Sequence, residues 1–205
     1  MPQFDKTYWE DHWTPKASAQ DRHMPVNPYL ASETRHLNPG TALDAGCGTG
    51  TEALWLAEHG WQVTGADISA TALDKAAKRA AEAGQADSVE WIETDVARWE
   101  PHRTWDLVTT HYAHPDTGQL PFYELLGSWV AENGSLLIVG HHHGTHHQHD
   151  HPEEATVTLE AIAELFHAPS WSIDASYENT RTIDRGHHGA GQLHDVVVRV
   201  QRLQG

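Results

Sequence analysis

The stretch Leu43-Asp44-Ala45-Gly46-Cys47-Gly48-Thr49-Gly50-Thr51 decides how this chain folds. Thr41–Ala45 is short and apolar and reads as a strand. Thr51–His59 reads as a helix, and Gly60 suits the position just past its end. Between them stand three glycines at alternate positions. Glycine lacks the Cβ that keeps a backbone away from a ligand, and it accepts the left-handed conformations of tight turns. The helix behind the loop offers free N–H groups and the positive end of its dipole.

Outward from this loop the chain alternates strand and helix. Trp61–Ala66 reads as a second strand. Ser69 can N-cap a long helix through Ala83, closed by Gly84. Val89–Glu93 and Trp105–Thr110 read as strands. Gln119–Val130 reads as a helix stopped by Asn133-Gly134, and Ser135–Val139 is the most apolar strand. A helix is expected over Glu153–Phe166, then strands Trp171–Tyr177 and Val196–Val200 with no helix between them. The pattern predicts an α/β fold with a mostly parallel sheet, helices on both faces and an antiparallel C-terminal hairpin at one edge. Upstream, Asn27-Pro28 starts a helix to Leu37. Residues 1–40 read as an N-terminal aromatic and helical cap, and 41–205 as the main domain. Tyr8, Trp9 and Trp13 form an aromatic lid that either packs on the sheet edge or covers a bound cofactor.

Acidic residues mark three successive strand ends: Asp44, Asp67 and Asp95. Asp67 stands 17 residues after Gly50, where a carboxylate can accept from two ribose hydroxyls. Ile68 can pack on an adenine face. Asp95 can accept from an adenine amino group, with the Val96 N–H reaching a ring nitrogen. All three acids point to the one rim where open α/β sheets bind ligands. A nicotinamide cofactor is the rival reading, but its fingerprint is G-x-G-x-x-G, and the loop here is Gly46-x-Gly48-x-Gly50.

With Leu43–Gly50, Gly65-Ala66-Asp67-Ile68-Ser69 and Asp95-Val96 in place, the chain resembles the class I S-adenosylmethionine (SAM) dependent methyltransferases. The resemblance covers about Leu37 to Val139. It implies a Rossmann-like seven-stranded sheet with the last strand antiparallel, and SAM as cofactor. It implies cofactor contacts from Asp44, Gly46, Cys47, Gly48, Gly50, Asp67, Ile68, Asp95 and Val96, with Thr110 and Trp13 beside them. The stretch Ala53-Leu54-Trp55-Leu56-Ala57-Glu58-His59-Gly60-Trp61 resembles the thiopurine and tellurite-resistance branch. That narrower likeness implies a small substrate with a soft sulfur, selenium or tellurium atom.

Composition narrows the partners. Asp plus Glu number 29 against 13 Lys plus Arg, a formal charge of −16. Such a chain repels the phosphate backbone of nucleic acid, and no Lys/Arg cluster offsets this. Nucleic-acid amino methyltransferases place Asn/Asp-Pro-Pro-aromatic after the fourth strand. Thr110-His111-Tyr112-Ala113-His114-Pro115 stands there instead. No apolar run suits a membrane helix, and the single cysteine, Cys47, suits a reducing compartment. A cytoplasmic enzyme with a small-molecule substrate is expected.

Methyl transfer from a sulfonium is an in-line displacement that rests mainly on positioning. A base is needed only when the acceptor carries a proton. His111, His114 and His141 are the catalytic candidates. The chain holds 18 histidines, seven of them within His141–His151. That segment follows the fifth strand, so it opens on the cofactor rim, where His111, His114, His187 and His188 should also emerge. Imidazole ligates zinc, nickel or copper, so His141, His143, His146, His147 and His149 are a hypothetical metal site. The alternative function is a histidine-rich metal-binding or metal-sensing protein on a methyltransferase fold.

Overall fold

The computed structural model describes residues 4–14, 25–142, 156–184 and 190–205. Helices α1 (Lys6–Trp13) and α2 (Pro28–Thr34) precede the sheet. The α/β core then runs β1 (Thr41–Ala45), α3 (Thr51–Glu58), β2 (Gln62–Asp67), α4 (Ala70–Glu82), β3 (Val89–Glu93) and β4 (Trp105–His111). It continues with α5 (Gln119–Ser128), β5 (Val130–His142), β6 (Thr156–Val157), α6 (Leu159–Ala163), β7 (Trp171–Asp184) and β8 (Ala190–Arg202).

The sheet order is β3-β2-β1-β4-β5-β8-β7, with β6 pairing β5 off this path. β1 to β5 are parallel, with Leu43 opposite Thr64 and Val108. β8 runs antiparallel to β5, and β7 pairs with β8 along the outer edge. The expected seven-stranded, mostly parallel sheet is therefore the main path. The two-residue β6 is an eighth strand, joined in parallel where His141 pairs Thr156 and His142 pairs Val157.

Both faces of the sheet are covered, so the central strands are apolar on both sides. One face carries Leu43, Val108, Leu136, Ile138, Val196 and Val198 against Phe122 and Leu126 of α5 and Ile162 of α6. Its neighbours in sequence, Ala42, Leu107, Leu137, Val139 and Val197, face Tyr29 and Leu30 of α2 and Ala53 and Leu56 of α3. All of these are essentially buried.

Caps explain several boundaries. The Asn27 side chain accepts from Tyr29 N with Pro28 at the first helical position, and α2 ends at Thr34, a turn before Leu37. Ser69 caps α4 through Ala72 N, and Gly84 closes it at φ +70°. Two expected elements are corrected. α5 stops at Ser128, and Asn133-Gly134 lies inside β5 as an irregularity of the strand. Val130 already pairs Trp105, and the register shifts before Ser135 meets Leu107; Asn133 takes φ +63° there. The helix expected over Glu153–Phe166 is only Leu159–Ala163, because β-branched Thr156-Val157 join the sheet and Thr158 caps the helix through Ala161 N. Residues 153–155 lie outside the described residues.

Candidate functional site

The glycine loop sits on the C-terminal rim, pinned to β2. The N–H groups of Gly46 and Cys47 both donate to Ala66 O, at 2.8 and 3.1 Å. Gly46 has φ +76° and Gly48 +51°. A Cβ on Gly46 would stand 2.7 Å from Ala113 Cβ, and one on Gly48 would stand 2.9 Å from Trp13 Cζ2. The loop is thus closed in by the segment after β4 on one side and by α1 on the other. α3 follows Gly50, which gives it no side-chain cap; of its first-turn N–H groups, that of Ala53 turns to Asp44.

Three carboxylates surround the loop. Asp44 is almost fully buried, and its Oδ2 has no hydrogen-bond partner among the described residues. Burial pushes its pKa well up, with the negative charges of Glu52 and Asp67 adding to the effect and the Ala53 N–H opposing it. Asp67 accepts from Gly48 N at 2.8 Å and from Ser69 N at 2.9 Å. Burial raises its pKa, against the N–H groups of Ser69, Gly48 and Ile68. Each Asp67 oxygen takes one of these two bonds, and a carboxylate has about four acceptor positions, so acceptor capacity remains. Ile68, beside it, is half-buried.

Asp95 lies past the end of β3 and is already engaged. It accepts from Ala97 N at 3.1 Å and pairs with Arg98. Arg98 also grips Asp116 with both terminal nitrogens, at 2.9 and 3.0 Å. That fork joins the Asp95–Arg98 turn to the loop after β4. Val96 is buried in the core. The Thr110 hydroxyl donates to Ala45 O at 2.9 Å, so it braces β4 to β1 directly beneath the glycine loop.

α1 lies over this rim rather than on the sheet edge. The Glu10 carboxylate reaches Ser69 and the first N–H groups of α4. The Trp13 ring lies against Gly48, and Lys75 Nζ donates to Trp13 O at 3.0 Å.

The histidines separate into two groups. His111, at the end of β4, is enclosed, and burial lowers its pKa against the opposing charge of Glu52; Thr109 Oγ1 lies 3.4 Å from each of its ring nitrogens. His114 and His141, 27 positions apart in sequence, stack at 5.5 Å between ring centres. Tyr112 also stacks on His141 at 4.5 Å, and Trp9 of α1 and Phe4 ahead of that helix approach His114 at 6.3 and 5.6 Å. Gln119 Nε2 donates to Ala113 O at 2.9 Å and meets His114 Nδ1 at 3.1 Å. An amide nitrogen can only donate there, so the neutral imidazole of His114 carries its proton on Nε2. His142 faces Glu178 at 3.1 Å. His143, His146, His147, His149, His187 and His188 lie outside the described residues. Among the described residues no group of three His, Cys, Asp or Glu side chains is arranged to hold a metal ion.

Sequence reasoning missed Glu10, Arg98 and the buried knot of Tyr112, Asp195 and Arg181. Asp195 is fully buried in β8, and its one sequence signal is that it opens the apolar run Val196-Val197-Val198.

The loop, its carboxylates and the sheet order fit one family, and a sequence model described as "Methyltransferase domain" matches residues 42–134. Residues 42–134 are thus a methyltransferase domain, and the chain is similar to the class I SAM-dependent methyltransferases. The chain is 34% identical over 134 residues to the Arabidopsis thaliana protein named "Probable thiol methyltransferase 2", covering 63% of this chain and 59% of that one. It is 34% identical over 100 residues to thiocyanate methyltransferase 1 of Brassica oleracea, covering 49% and 43%. The chain thus spans about half the length of these curated relatives. Among solved structures, TehB from Haemophilus influenzae matches it with a TM-score of 0.71 at 16% identity, over 96% of this chain and 67% of that one. That last likeness is one of fold.

The fit to SAM is chemical as well as topological. The cofactor carries an ammonium, a carboxylate and a ribose. The site supplies an unpartnered buried carboxylate oxygen on Asp44, the start of α3, which has no side-chain cap from Gly50, and acceptor capacity on Asp67. Among the described residues no helix is long and apolar enough to cross a membrane.

Proposed function

We propose that this chain binds SAM in the glycine-loop cleft and uses it to methylate the sulfur, or a comparably soft atom, of a small molecule. One observation carries the cofactor half. A loop with glycines at φ +76° and +51° is bordered by the buried carboxylates Asp44 and Asp67 on adjacent strand ends. Asp44 and the start of α3 would hold the amino-acid end of the cofactor, Asp67 the ribose, and Ile68, Asp95 and Val96 the adenine side. Gly46, Cys47, Gly48 and Gly50 would let the backbone lie close, with Thr110 bracing the floor and Trp13 covering the loop.

When bound, SAM supplies the electrophilic methyl group. The residues around the acceptor then need to orient a nucleophile and exclude water. The rings of Tyr112, His141 and His114, with Trp9 of α1, make a polarisable wall beside the loop. His114 offers an N–H to a negatively charged acceptor instead of taking its proton. His111 is kept neutral in its enclosed position. This wall favours an acceptor that arrives ionised, as a thiolate or a small sulfur-bearing anion. The names of the thiol and thiocyanate relatives support the same class. Residues 1–40 serve as a cap on this site, and the cytoplasm supplies the reduced thiols it would act on.

The test is methyl transfer from labelled SAM to thiols, hydrosulfide and thiocyanate, beside catechol and amine controls, with and without zinc, nickel or copper. Transfer to sulfur acceptors in chelator-treated protein supports the proposal. Transfer only to oxygen or nitrogen, or tight metal binding with no transfer, contradicts it and favours the metal-binding alternative.

A further inference from the structure

α1 is a short helix with an unusual seat. Its eight residues include none that is buried, and an isolated helix of this length is unstable in water. Trp9 and Trp13 are only half-buried, so polar anchors share the work of keeping it docked.

The main anchor is Glu10. Its Oε1 accepts from Ala70 N at 2.7 Å, and its Oε2 accepts from Ser69 Oγ at 3.1 Å and Thr71 N at 3.3 Å. Carboxylates bind well at a helix start, where N–H groups and the dipole converge. The Thr71 side chain first, then the Ala70 and Thr71 N–H groups and the Ser69 hydroxyl, hold the Glu10 carboxyl below its usual pKa range against the effect of burial. Ser69 is shared: its N–H goes to Asp67 and its hydroxyl faces Glu10. Glu10 and Asp67 thus flank the same residue.

Trp13 follows Glu10 on the same face of α1, three positions on. Its ring lies against Gly48, and its carbonyl takes the Lys75 ammonium. On the other side, Trp9 and Phe4 approach His114. α1 therefore bridges from the start of α4, across the glycine loop, to the segment after β4.

We propose that Glu10 is a latch: a positioning residue that holds α1 docked on α4, keeps Trp13 over the glycine loop, and so sets how fast SAM and its demethylated product leave the cleft. The proposal rests on cofactor binding at that loop. With Trp13 against Gly48, exchange in this proposal goes through a state in which the Glu10 contacts are broken.

The experiment measures the dissociation rate of S-adenosylhomocysteine from the full chain by stopped-flow displacement, with hydrogen exchange of the α1 amides read in parallel. Wild type, Glu10→Gln, Glu10→Ala, Trp13→Ala and the Glu10→Ala/Trp13→Ala pair are compared. Lys78→Met, at the exposed pair with Glu82 within α4, is the control. Glu10→Ala is expected to speed release at least tenfold and to abolish the ligand-induced protection of α1. Glu10→Gln, which keeps an acceptor oxygen, should fall between it and wild type, and Lys78→Met should match wild type. The double variant should release no faster than the faster single one, because both residues act through one closure. Release within twofold of wild type in Glu10→Ala, or additive effects in the pair, would overturn the latch. Failure of wild type to bind the product at all would instead overturn the cofactor reading beneath it.

Discussion

The phenol of Tyr112 donates to Asp195 Oδ1 at 2.8 Å, joining residues 83 positions apart. Asp195 also accepts from Tyr29 at 2.9 Å and from Arg181 Nε at 2.7 Å, and Arg181 returns to the Tyr112 hydroxyl at 2.9 Å. This knot ties α2, β7 and β8 behind the acceptor wall and holds Tyr112 at φ +55°. Asp195→Ala strands a half-buried guanidinium and two phenols. It should destabilise the fold by on the order of 3 kcal/mol, the scale of a broken buried pair, read by urea unfolding. Tyr112→Phe should cost about 1 kcal/mol of stability and raise the KM for the sulfur acceptor, while SAM affinity stays at the wild-type value.

Gly48 tests how closely the loop is covered. Gly48→Ala puts a Cβ 2.9 Å from the Trp13 ring and keeps a left-handed φ that costs an L-residue about 1–2 kcal/mol. SAM affinity should fall at least tenfold with the far-ultraviolet circular dichroism unchanged. Adding Trp13→Ala should relieve the clash and leave the backbone cost, so it restores part of the affinity.

Asp44 gives a pH-dependent signature. Its folded pKa lies above the unfolded value near 3.9. The folded state therefore binds more protons, and Asp44 makes stability fall as pH rises from about 4 through the raised folded pKa. Asp44→Asn should stabilise the ligand-free protein at pH 7 to 8, with the difference vanishing near pH 4, in thermal melts across pH. The same variant should bind SAM more weakly.

The acceptor should set the pH profile. Burial holds His111 below its usual range, so it is neutral throughout pH 7 to 9. The value of kcat/KM for a simple thiol should climb with thiol ionisation, near pH 8.5, and the profile for thiocyanate should be flat there. An acid limb that vanishes in His114→Gln would show that His114 takes a proton, contrary to the tautomer Gln119 imposes.

The cofactor side was legible because its signals are local. Three glycines and an acid at each of three strand ends follow from backbone conformation and from the alternation of strand and helix. Asn133-Gly134 misled because the same dipeptide that ends a helix also serves a strand irregularity, and the pairing of Val130 with Trp105 decides between them. Asp95 was legible as a strand-end acid, while its engagement by Arg98 depends on Asp116 across another loop. Topology sends the ends of β4 and β5 to one rim, whereas the stacking of His114 on His141 is a side-chain contact with no signal in the sequence. Glu10 and Asp195 were hidden because their partners lie from 14 to 166 positions away, and a lone acid in a short helix or a strand carries no periodic signal.

The central claim is that the cofactor lies on the glycine loop with its ribose at Asp67. Calorimetric titration of SAM into wild type and Asp67→Ala tests it most directly, with circular dichroism to confirm that the variant keeps its fold. One site per chain is expected, weakened in the variant by about 1–3 kcal/mol, the scale of lost hydrogen bonds to a charged group. Equal affinity in the two proteins, or binding of NAD in place of SAM, would contradict the account.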